Sequence, residues 1–122
     1  MAGVIAARND LFFGAKIGET ARQLNVPLAL VGSSEDLIAK ARTMRPGLLI
    51  LDLNAESCRP LEAIRQVMAD PEFNDTALLG FCSHVQHDLK AAAAVAGCNR
   101  VMARSAFTAE LPEILRPYAP AA

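Results

Sequence analysis

The chain has 122 residues, enough for one hydrophobic core and too few for two. It is 52% hydrophobic and 20% charged, which excludes a disordered chain; a net charge of −1 leaves no footprint for nucleic acid or an anionic membrane. Trp is absent and aromatics make up 5%, so aliphatic side chains and Ala must fill the core.

Cys58, Cys82 and Cys98 are odd in number and follow no spacing pattern. No apolar run approaches the length of a membrane span, and no charged start with an apolar signal core precedes the first strand-like run. These features predict a reduced, cytoplasmic protein without disulfides.

In chain order, "GVIAA" (3–7) reads as a strand. Phe13, Ile17, Ala21 and Leu24 then recur along one face of a helix. "PLALVG" (27–32) is the second strand. Ser34 with Glu35 and Asp36 marks a helix start, since a hydroxyl and early acids suit unsatisfied amides. Leu37, Ala41 and Met44 form that helix's buried stripe, and Pro46 closes the unit.

"GLLILDL" (47–53) is apolar up to its acid, as expected of a strand covered on both faces. Leu61, Ile64 and Met68 follow at helical spacing, with Pro60 in the first turn. "TALLGFC" (76–82) is the fourth strand. An Ala-rich helix over 84–97 stops at Gly97, "NRVMA" (99–103) is a fifth strand, and residues 106–118 form the last helix. The tail from 117 to 122 is expected to fray. Short crossovers that each carry a helix predict a doubly wound α/β fold with a five-stranded parallel sheet. The flavodoxin-like order 2-1-3-4-5 is the expected one at this size, in a single domain over 1–122.

Ligands of such sheets bind beyond the carboxyl ends of the strands. The residues there are Arg8, Asn9 and Asp10; Gly32, Ser33 and Ser34; Asp52, Leu53 and Asn54; Cys82, Ser83 and His84; and Arg104 and Ser105. Here "RPGLLILDLN" resembles the third strand of bacterial response-regulator receiver domains, the phosphoacceptor modules of two-component signalling. The likeness extends along the chain in the order and number of elements. It implies that Asp52 is the phosphoacceptor equivalent and that Asn54 supplies a backbone carbonyl.

In that family an acid pair after strand 1 joins the phosphoacceptor in holding Mg²⁺, while a hydroxyl residue and a Lys bind the phosphoryl oxygens. The corresponding positions here carry Arg8 and Asn9 for the acids, with Asp10 one residue on. Cys82 stands for the hydroxyl residue, with Ser83 next to it, and Arg104 stands for Lys. One carboxylate facing two guanidiniums is a net positive set with little attraction for Mg²⁺ and good complementarity for an Arg–Asp pair. The resemblance therefore implies a degenerate pseudo-receiver that is no enzyme, needs no cofactor and works by protein–protein interaction.

The alternative is a working phosphoacceptor, modified at Asp52 by a histidine kinase or small phosphodonor. Mg²⁺ would then be held by Asp10, Asp52 and Asn54. Without the resemblance, Asp52 reads first as a strand-end acid capping nearby amides.

The expected partner is a histidine kinase, a downstream effector, or a second copy docking through helix 4, strand 5 and helix 5. His87, Lys90, Ala94, Met102, Phe107 and Tyr118 are the residues expected on that face. Cys82, His84, His87 and Cys98 match no zinc spacing and read as rim, core or solvated residues. There is no G-x-G-x-x-G and no glycine-rich phosphate loop after strand 1.

Overall fold

The computed structural model describes residues 3–7, 11–55, 59–82 and 87–120, with backbone alone for 11–13. Five parallel strands are β1 (Val4–Ala7), β2 (Leu28–Val31), β3 (Leu48–Asp52), β4 (Ala77–Cys82) and β5 (Arg100–Ala103). Their order is β2-β1-β3-β4-β5, the flavodoxin-like arrangement. The helices are α1 (Leu11–Leu24), α2 (Ser34–Met44), α3 (Pro60–Ala69), α4 (His87–Ala96) and α5 (Arg104–Leu115).

Strand alternation divides the core in two. Ile5, Ala7, Leu49, Leu51, Leu78 and Cys82 face α2, α3 and α4 and pack against Leu37, Ala41, Ile64, Val67 and Ala93. Val4, Ala6, Leu48, Ile50, Leu79, Phe81 and Met102 face α1 and α5 and pack against Ile17, Ala21, Phe107, Leu111 and Leu115. The all-apolar centre of β3 is buried on both faces, as its composition requires.

Local details depart from the sequence reading in several places. The cap of α2 is Ser33, whose hydroxyl accepts from the Asp36 amide at 3.1 Å, and Ser34 is the first helical residue. Hydroxyls at both positions make the two choices look alike in sequence, and only the extended backbone of Ser33 selects it. In α3 the buried face is Pro60, Ala63, Ile64 and Val67; Leu61 is half-buried and Met68 is 56% exposed. Met68 lies instead beside Gly97, which ends α4 at φ 125° and lacks the Cβ that would collide with it.

A 3-10 turn, Pro71–Phe73, buries Phe73; three residues are too few to show a period. Helix α5 begins at Arg104, two residues earlier than expected. Residues Arg116–Tyr118 make another 3-10 turn that overlaps the stretch expected to fray, and Tyr118 and Ala119 pack on the α1/α5 core. Phe13, Cys58 and His84, named in the sequence reading, lie outside the residues whose side chains are described.

Candidate functional site

Asp52 ends β3 and is 1% exposed. Its register partner on β4 is Phe81, and alternation along β3 turns both toward the α1/α5 side of the sheet. The chain turns sharply after it. Asn54, itself half-buried, donates its backbone N–H to Asp52 Oδ1 at 3.0 Å, and Ala55 donates to the Asp52 carbonyl at 3.0 Å. The carboxylate thus does cap its own turn, as the simplest reading of a strand-end acid requires.

The other carboxylate oxygen faces a cation. Arg104 Nη2 stands 3.7 Å from Asp52 Oδ2, with the Arg104 side chain 37% exposed. That distance is an ion-pair contact and exceeds a good hydrogen bond, so the pairing is monodentate and not a two-pronged fork. Arg104 reaches this position because it opens α5 directly after β5, at the carboxyl edge of the sheet. Its guanidinium carbon also lies 5.9 Å from the centroid of the Phe81 ring, within cation–π range.

Cys82 follows Phe81 and so points to the opposite face, where it is fully buried in the α2/α3/α4 core. Burial pushes its thiol up from the ordinary value of 9.0, and the Asp52 charge adds to that effect. Lys90 and Arg104 act in the opposite sense without overcoming it. A neutral, buried thiol is a weak hydrogen-bond donor.

Lys90, expected on the outer face, is half-buried in the first turn of α4, and its charge acts on the Cys82 thiol. Among the other residues expected on the outer face, His87 and Ala94 are exposed. Met102 (6% exposed) and Phe107 (fully buried) belong to the core, which corrects that expectation, and Tyr118 is half-buried against the same core. Arg8, Asn9, Asp10 and Ser83 lie outside the described residues.

No family model and no curated protein matches this chain. Solved structures do match. A response regulator from Hahella chejuensis superposes with a TM-score of 0.84 at 16% identity, over 97% of this chain and 95% of that one. The chain has the receiver fold. A chemotaxis response regulator of Vibrio cholerae gives 0.83 at 17% identity, over 97% and 98% of the two chains. The receiver domain of a sensor histidine kinase from Pseudomonas aeruginosa, whose structure has a magnesium ion coordinated in the active-site cleft, gives 0.82 at 17% identity over 97% of each chain. At these identities the likeness is one of fold, and in such a sheet the carboxyl edge bearing Asp52 is the edge where ligands bind. No helix among the described residues is long and apolar enough to cross a membrane.

Proposed function

We propose that this chain is a receiver-type signalling module of the two-component kind that acts by docking a protein partner, with Asp52 serving as the counter-ion of Arg104. The observation that carries this reading is the ion pair itself: a carboxylate 1% exposed, with a guanidinium 3.7 Å from one oxygen. The partner is a histidine kinase or a downstream effector, and the module turns over no substrate of its own.

The donor set supports a pocket that does without Mg²⁺. Mg²⁺ favours an octahedral shell of oxygens supplied by carboxylates and water. Among the described residues at the strand ends, Asp52 offers one carboxylate, already shared between Arg104 and the Asn54 amide. A single carboxylate engaged by a cation supports that reading. The buried Cys82 thiol is a poor substitute for a hydroxyl that would grip a phosphoryl oxygen.

The test is an amide-resolved NMR titration with Mg²⁺, followed by beryllofluoride, a mimic of an acyl phosphate. Unmoved resonances around Asp52 and Arg104 at millimolar Mg²⁺ are the expected outcome. Saturable shifts that spread into α4 and β5 would replace this reading with that of a working phosphoacceptor at Asp52.

A further inference from the structure

Two residues of α5 meet the site, Arg104 and Phe107, one helical turn apart. Both contact the ring of Phe81. The guanidinium carbon of Arg104 lies 5.9 Å from its centroid, and the Phe107 ring stacks on it at 4.4 Å with an interplanar angle of 10°. Phe81 is in turn the register neighbour of Asp52 on the same sheet face. A path of direct contacts therefore runs from the carboxylate through the guanidinium and the stacked rings into α5.

We propose that the Phe81–Phe107 stack is an aromatic seat that positions Arg104 on Asp52, so that the charge at position 52 is transmitted to the first turns of α5. This rests on the reading of Asp52 as the site carboxylate, and it names how that site acts on the rest of the molecule. Phe81 is a positioning residue in this scheme, acting only through Arg104.

A guanidinium flanked by a carboxylate and a ring face has its place set by both, since the ring's negative face attracts the cation. Both rings are fully buried, so neither tilts without repacking its neighbours. Arg104 and Phe107 share a helix, so a guanidinium released from Asp52 changes the load on the same turn that Phe107 anchors. An aliphatic residue at 81 would fill the core but would give the guanidinium no π face.

The experiment compares wild type, Asp52→Asn, Phe81→Leu and the double variant by NMR, reading aromatic ring signals, the Arg104 side-chain N–H and the α5 amides. Asp52→Asn removes the charge with little change of shape. It is expected to shift the Phe81 and Phe107 ring signals and the amides of Ser105 to Thr108. In the Phe81→Leu background the same charge change should move those amides by roughly half as much or less, because coupled sites are not additive. Shifts from Asp52→Asn that stay confined to residues 52–54, or α5 shifts of equal size with and without Phe81, would overturn the proposal. Should Phe81→Leu lose its amide dispersion, the ring signals of Asp52→Asn alone decide. The Mg²⁺ titration is scored separately, so a pocket that binds Mg²⁺ removes the functional reading without touching this one.

Discussion

Asp52 and Arg104 are a pair of unequal exposure, 1% against 37% at the side chain. A carboxylate taken out of water needs compensation, whereas a half-exposed guanidinium contributes less than a buried one. Replacing Arg104 by Ala should therefore destabilise the fold by about 1–3 kcal/mol, read as a lower urea midpoint at unchanged slope. Arg104→Lys should recover part of that loss, because charge is kept while the contact with Phe81 weakens. An Ala variant as stable as wild type would mean that Asp52 is carried by its turn, through the Asn54 amide. The attraction between these two residues was legible in the residue types at the strand ends. The monodentate geometry was not, nor was the opposite facing of Cys82, because both depend on the parity of neighbouring strands in register. Phe107 is a different case: with Leu111 and Leu115 it repeats every four residues, so its burial was readable from the helix period.

Helix termini show how little separates a right from a wrong local reading. Ser33 and Ser34 are identical in type, and only Ser33 has the extended backbone, φ −148° and ψ 162°, that lets a hydroxyl reach the Asp36 amide. Ser33→Ala should cost about 1 kcal/mol in thermal or chemical unfolding, while Ser34→Ala at the first helical position should cost about half that or less. A larger loss at Ser34 would move the cap to that residue. Helix α3 makes the same point for a face. Its stripe reads as Leu61, Ile64 and Met68, but the sheet accepts Ala63, Ile64 and Val67. Met68 can lie out over Gly97 because that residue has no side chain to oppose it.

For the whole molecule, the buried protons set the alkaline limit. Burial raises the thiols of Cys82 and Cys98 above their ordinary 9.0 and the Tyr118 hydroxyl above its ordinary 10.0. Each group keeps its proton in the folded state after the unfolded chain has lost it, so stability falls as pH rises past the ordinary values. The urea midpoint should hold steady near neutrality and begin to drop around pH 9.0, more steeply past 10.0. Cys82→Ala together with Cys98→Ala should flatten the first part of that decline. A midpoint independent of pH across this window would show that the thiols are not excluded from water.

Periodicity and turn chemistry are local properties of a chain. They were therefore enough to read the element types, their order, the parallel sheet with helices on both faces and the strand-end position of Asp52. Which serine caps α2 and which face Cys82 takes are settled only in the folded sheet. So is the line of contacts formed by Asp52, Arg104, Phe81 and Phe107. Those relations join residues from β3, β4 and α5, separated by up to 55 positions (Asp52 to Phe107), and only the register of the sheet brings them together.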